Sequence, residues 1–145
     1  MSASVLERTR VAPARPELVG LVSVALHRDI RRVTAALRIT VELSDAVALV
    51  TARIESSCPE IVLVDTDLVG RPDGLCRLAR SQRPDVRFVA LSCCWSEREE
   101  ALRRCADAIV HKPMRDGEWR ELFGRLGAIE ATIPAPLGHT PHLAA

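Results

Sequence analysis

Tyrosine is missing from this chain, and the other aromatics are few, two Trp and two Phe among 145 residues. Single-stranded nucleic acid is commonly held by stacking bases on aromatic side chains, so that class of function lacks its platform here. An excess of one charge sign is also lacking. A net charge of +1 gives no field that would steer the protein to nucleic acid or to an anionic membrane surface. No apolar run approaches the roughly 18 residues that a membrane span requires. The N-terminal segment carries arginines but no apolar signal core, so a cytoplasmic location is expected. The five cysteines show neither Cys-x-x-Cys nor Cys/His zinc spacing. For a cytoplasmic chain the expectation is therefore reduced thiols.

One further scarcity points toward a site. Of the 20 basic residues only Lys112 is a lysine, the rest being arginine. A lysine is a compact, mobile point charge where arginine is a planar fork, so the single exception is worth locating.

What is present is a soluble composition, 48% apolar and 27% charged, enough for one domain with a substantial core. Residues 1–16 hold Pro13 and Pro16 with little periodicity and read as a flexible arm. The domain is expected over 17–128, and the Pro-rich segment 129–145 reads as a disordered tail. Within the domain, apolar runs at 18–26, 39–43, 61–64, 86–91 and 108–111 predict five strands. Between them lie segments with helical periodicity, at 27–38, 45–57, 72–82 and 96–105, and a last one at 116–127. Ser44 is a candidate cap for the second of these helices, and Ser96-Glu97-Arg98-Glu99 has the capping-box pattern for the fourth. Trp119 and Phe123 fall on the apolar stripe of the last helix and read as core. Strands alternating with helices predict an α/β fold, a doubly wound five-stranded parallel sheet with helices on both faces.

The third strand runs straight into an acid, in the stretch "IVLVDTDLVGRPDGL" that contains Asp65 and Asp67. In open parallel sheets the carboxyl lip of the strands is where ligands bind. Asp65 ends the third strand, Ser92 the fourth and Lys112 the fifth, so the fold should bring all three to that lip. The trio suits phosphoryl chemistry. A carboxylate can attack phosphorus to form an acyl phosphate, a hydroxyl can hydrogen-bond a phosphoryl oxygen, and an ammonium can neutralise its charge.

Asp65 with the loop "DTDLVGRPDG", Ser92 after "FVAL", and "ADAIVHKP" with Lys112-Pro113 together resemble the receiver domain of two-component response regulators. That resemblance implies a flavodoxin-like fold. It further implies Asp65 as the acceptor of phosphate from a histidine kinase, Ser92 and Lys112 as contacts of the phosphoryl group, and a cis Lys112-Pro113 peptide. It also implies output through other proteins, typically on the face made by helix 4, strand 5 and helix 5, where a homodimer would also form. Arg98, Arg103 and Arg104 fall there beside Glu97, Glu99 and Glu100.

The chain departs from the family pattern in three places. Receivers carry two acids after strand 1 that help hold Mg²⁺, whereas Ser23-Val24-Ala25-Leu26-His27 has no carboxylate. The strand-5 position that is usually aromatic is Ile109, and the loop position that is usually proline is Val69. Asp65 and Asp67 alone predict weak Mg²⁺ binding or none.

The leading expectation is thus a stand-alone, atypical receiver-like response regulator, not an enzyme beyond self-phosphorylation at Asp65, working through protein contacts. The alternative rests on "VLVDTDLVG", which also resembles the first motif of haloacid dehalogenase-type phosphatases, with Asp65 as nucleophile and Asp67 as general acid/base. A weaker reading is a thiol sensor through Cys93-Cys94. His27 reads as a helix-start residue, and His139 and His142 lie in the tail without partners in sequence.

Overall fold

The computed structural model describes residues 15–93 and 97–131. Its elements in chain order are β1 (Glu17–Leu21), α1 (Val24–Ala36), β2 (Thr40–Ser44), α2 (Val47–Ser57), β3 (Ile61–Asp65), α3 (Pro72–Gln82), β4 (Arg87–Ser92), α4 (Glu97–Arg103), β5 (Ala108–His111) and α5 (Asp116–Ala131). A short 3-10 turn, Thr66–Leu68, follows β3. The five strands form one sheet in the order β2-β1-β3-β4-β5, and every pairing is parallel. The expected fold class is the one observed.

Side-chain alternation along the strands builds two cores. Leu18, Ile61, Leu63, Val89 and Leu91 point to one face, where Ile30 and Val33 of α1 and Trp119, Leu122 and Phe123 of α5 cover them. Trp119 and Phe123 stack with ring centroids 5.5 Å apart. Val19, Leu21, Val62, Val64, Phe88, Ala90 and Ile109 point to the other face, under Val50 and Ile54 of α2, Leu75, Cys76 and Ala79 of α3 and Leu102 of α4. All five residues of β3 are buried, as its position between β1 and β4 requires of a strand covered on both faces.

Several boundaries differ from the sequence reading, among them those at the β1–α1 junction, the start of α2 and the end of α5. The apolar run 18–26 is not one strand: β1 stops at Leu21, and Ser23 caps α1 by accepting a hydrogen bond from the Ala25 amide at 3.3 Å. A capping serine inside an apolar run thus turns its second half into helix. At α2 the Ser44 hydroxyl accepts from the Ala46 amide at 3.0 Å, yet Ala46 holds the cap position and the helix begins at Val47. The last helix passes its expected end near 127 and continues to Ala131, through the first three residues of the segment expected as tail. Residues 1–14 of the expected arm, the rest of that tail with His139 and His142, Cys94 and the capping Ser96 lie outside the described residues, as do the side chains of Glu97, Arg98 and Glu99.

The cysteines are the larger correction. They do not all remain thiols: Cys76 and Cys105 form a disulfide, with Cα atoms 6.3 Å apart at a sequence separation of 29. Cys58 and Cys93 are not part of this disulfide. Cys76 lies on the buried side of α3 and Cys105 packs against the same apolar cluster, a long-range juxtaposition that no local spacing announces.

Candidate functional site

The pocket is assembled by the way three neighbouring strands end. Parallel pairing sets Leu21 beside Val64, Asp65 beside Leu91 and Ser92 beside His111. The C-terminal ends of β3, β4 and β5 therefore share one lip. Asp65 is the last residue of β3 and only 1% exposed. Its carboxylate also caps the following 3-10 turn, Oδ1 accepting from the Asp67 amide at 3.0 Å. That turn returns the Asp67 side chain to the mouth of the pocket.

Lys112 leaves β5 one residue after His111. Its amide donates to the Ser92 carbonyl at 2.8 Å, which extends the β4–β5 ladder by one bond, and its peptide bond to Pro113 is cis. Its ammonium Nζ donates to both Asp65 oxygens, at 3.0 Å to Oδ1 and 2.8 Å to Oδ2, and to Asp67 Oδ2 at 3.0 Å. The only lysine in the chain thus bridges the two carboxylates at the lip. Burial by itself pulls the ammonium's pKa down, but the hydrogen bonds and charges of Asp65 and Asp67 outweigh it, and the pKa stands above that of an ordinary lysine. The ion pair is half inside: Asp65 is buried, the Lys112 side chain is 21% exposed and Asp67 is 44% exposed.

Ser92 ends β4 at the same lip and is 1% exposed. Asp65, Ser92 and Lys112, which the sequence reading selects, converge on adjacent strand ends. Asp67, which reads as a loop acid, is exposed and also a direct partner of Lys112. Cys93 is exposed beside Ser92, and its Sγ lies 3.6 Å from Asp67 Oδ1. His27 sits in the first turn of α1 and bonds the Val22 carbonyl through Nε2 at 3.0 Å, which makes it a helix-start residue. Asp29 lies within α1, facing Arg32 at 3.3 Å, and is not at the lip.

The donor set does not fit a tightly held divalent cation. Asp65 and Asp67 are the carboxylates at the lip, and both are engaged by Lys112. Among the described residues no group of three or more His, Cys, Asp or Glu side chains could hold a metal ion. Hard cations need several clustered oxygens, and the two available already bind an ammonium. A cleft of about 440 Å³ between β2 and α2, lined by Leu43, Leu49, Val50 and Arg53 among others, lies at the opposite edge of the sheet from β5 and contains none of these groups.

This all-parallel sheet in the order β2-β1-β3-β4-β5 is the fold of response regulator receiver domains. Comparison with solved structures gives the same result. A CheY-like response regulator receiver domain protein from Methanospirillum hungatei JF-1 superposes with a TM-score of 0.69 at 20% identity, over 82% of this chain and 98% of that one. A response regulator from Thermotoga maritima gives 0.68 at 15% identity, over 79% and 98%. The chemotaxis response regulator CheY4 of Vibrio cholerae gives 0.68 at 13% identity, over 77% and 98%. No protein-family model matches the sequence, and no curated protein is detectably similar to it. The likeness lies in the fold. No helix among the described residues is long and apolar enough to cross a membrane.

Proposed function

We propose that the chain is a cytoplasmic receiver module of two-component signalling whose output is contact with another protein, a histidine kinase or a downstream regulator. The observation that carries this reading is Lys112 Nζ held between Asp65 and Asp67 at 2.8–3.0 Å, at the lip of a receiver-type sheet. A phosphoacceptor needs a cation at hand to neutralise the incoming phosphoryl oxygens, and Lys112 is that cation. In the transfer step one Asp65 oxygen attacks phosphorus, the bond from phosphorus to the donor's nitrogen or oxygen breaks, and the leaving group keeps the electron pair and takes up a proton. Lys112 then follows the charge onto the new phosphoryl oxygens.

The same geometry argues that the step is slow. Phosphoryl transfer depends mainly on positioning and charge neutralisation. A site that lacks a metal's Lewis-acid contribution forgoes several kcal/mol, roughly a factor of 10³ in rate. The module therefore acts chiefly as a binding protein, with no turnover of its own beyond the phosphorylation and dephosphorylation of Asp65. Its contact face is that of α4, β5 and α5, where Arg103, Arg104, His111 and Glu118 are exposed, and any homodimer uses the same face.

Incubation with acetyl phosphate, read by intact mass, tests this. Slow gain of one phosphoryl group, lost in Asp65→Asn and indifferent to Mg²⁺, is expected. Rapid labelling strongly accelerated by Mg²⁺ would mean an ordinary receiver cycle. Sustained hydrolysis of p-nitrophenyl phosphate that depends on Asp65 and Asp67 would favour the phosphatase reading instead, and none is expected.

A further inference from the structure

The α4 segment lies in the connection between Ser92 and Lys112. Among its described side chains Leu102 is fully buried, while Glu100, Ala101 and Arg103 are exposed. Beyond that anchor, the turn after α4 is tied to α3 in two different ways. One tie is covalent, the Cys76–Cys105 disulfide. The other is polar. Arg80, one turn after Cys76, donates to the Cys105 carbonyl from Nε at 3.0 Å and also from Nη2, and it pairs with Asp107 at 3.0 Å. Asp107 in turn accepts from the Phe88 amide at 2.7 Å, which anchors the turn to β4.

These two ties have different chemistry but hold the same place. We propose that Cys76 and Cys105 form a reversible thiol–disulfide site, opened by a dithiol reductant, that sets how firmly α4 is held between Ser92 and Lys112. Cys76 is fully buried and Cys105 only partly so, so the reductant's thiolate attacks the Cys105 sulfur. The S–S bond breaks, Cys76 leaves with the electron pair and takes up a proton, and a mixed disulfide forms at Cys105. The reductant's second thiol displaces Cys105, so two electrons pass to the protein and the reductant becomes a disulfide. Arg80 makes the site reversible. With the covalent bond open, its hydrogen bonds still hold Cys105 beside Cys76, and two thiols held in place re-form their bond far faster than two that must find each other.

The location makes the bond consequential. Cys76, Leu102 and Ile109 belong to one apolar cluster, with Cys105 and Ala106 packed against it. Opening the disulfide leaves the turn that leads into β5 held by the Arg80 hydrogen bonds alone, directly on the Ile109 side of the sheet. In the cytoplasm, the location taken from the proposed function, intramolecular disulfides are usually transient and redox-sensing and not permanent. This inference goes beyond the proposed signalling role, and its test does not depend on phosphorylation of Asp65.

The test uses the folded full chain. Accessible thiols are first blocked with iodoacetamide, dithiothreitol is then added without denaturant, and newly exposed thiols receive a mass tag. A new tag on the partly exposed Cys105 is expected in the folded protein, with the circular dichroism unchanged and the buried Cys76 thiol tagged only once reductant is removed and denaturant follows, and glutathione disulfide should remove the reactivity again. In hydrogen exchange, amides of residues 100–106 should exchange at least about fivefold faster after reduction, and the Cys76→Ser/Cys105→Ser double variant should match reduced wild type. A Cys105 that takes no tag until denaturant is added would make the bond a permanent cross-link and overturn the proposal. So would a reduced form that does not re-oxidise while folded, or exchange rates unchanged by reduction.

Discussion

Lys112 reaches across from the end of β5 to hold both oxygens of Asp65, at 3.0 and 2.8 Å, at the end of β3 two strands away. The pair is not a surface contact, since Asp65 is 1% exposed. Breaking it from one side should be costly because it leaves a buried carboxylate without its counter-charge. Lys112→Met is expected to lose about 2–3 kcal/mol, at or just below the bottom of the ~3–5 kcal/mol range for broken buried pairs, because the lysine tip is partly solvated. Removing both charges, as in Asp65→Leu/Lys112→Met, should recover most of that loss and stand within about 1 kcal/mol of wild type. Urea melts of the three proteins decide it. A Lys112→Met protein as stable as wild type would mean that water already serves Asp65.

The same pair carries a pH signature with a definite sign. The Lys112 pKa in the folded protein is above the ordinary lysine value, burial lowering it and Asp65 and Asp67 raising it by more. The stability it contributes is then complete below about pH 10.4, the ordinary lysine pKa, and is lost as pH rises through the higher folded value. The stability difference between wild type and Lys112→Met should stay flat between about pH 6 and 9 and shrink in the alkaline range beyond. A difference that already falls near neutral pH would place the ammonium in a much weaker field.

How far the site could be read beforehand depends on whether the signal is local. Asp65, Ser92 and Lys112 are legible because each ends an apolar run, and parallel strands share a lip whatever the details of packing. The end of β1 is less legible, because Val22-Ser23-Val24-Ala25-Leu26 is equally apolar as strand or helix and only the Ser23 cap decides. The clasp of Asp67 on Lys112 depends on how the 3-10 turn folds back. The Cys76–Cys105 bond depends on α3 and the α4–β5 turn meeting side by side on one face of the sheet, a contact with no sequence period. Local chemistry was readable; geometry made by two distant segments was not.

The disulfide should also matter to global stability, independently of any switching. Closing a 29-residue separation restricts the unfolded chain by roughly 3–4 kcal/mol in the chain-entropy treatment. Urea unfolding with and without dithiothreitol should therefore differ by about 3 kcal/mol, reduced protein being the weaker. A difference below about 1 kcal/mol would show that the unfolded chain already keeps these segments together.

Ser23 offers a gain-of-function check on the metal argument. It follows β1, whose end lies beside that of β3 through the Leu21–Val64 pairing, and it caps α1 with its hydroxyl. Aspartate caps helices as well as serine does, so Ser23→Asp should keep the fold while adding a third carboxylate to the lip. Mg²⁺ affinity, followed by calorimetric titration, should tighten at least about tenfold over wild type. Equal affinity in both proteins would mean that Lys112, rather than the missing acid, is what keeps the cation out, and Lys112→Met would then be the variant that binds it.

The boldest expectation concerns the coupling of the pocket to the α4–β5–α5 face. A ligand shifts a conformational equilibrium only by as much as its affinity differs between the two states. In a receiver that difference is transmitted when the hydroxyl at the Ser92 position moves toward the phosphate and an aromatic on strand 5 follows. Ile109 occupies that position, 6% exposed and packed in the cluster of Phe88, Leu102 and Cys76. It has no ring to swing between an inner and an outer position. With the Cys76–Cys105 bond closed, the turn behind it is also fixed. Treating oxidised protein with acetyl phosphate should therefore change hydrogen exchange in residues 100–111 by less than about threefold, below ~1 kcal/mol of coupling, even in the fraction that carries phosphate. Asp65→Asn should exchange like untreated wild type. A tenfold slowing that requires both the phosphodonor and Asp65 would reveal a working switch, and Ile109 would then have to transmit it by translation of the whole β5 edge rather than by rotation of a side chain.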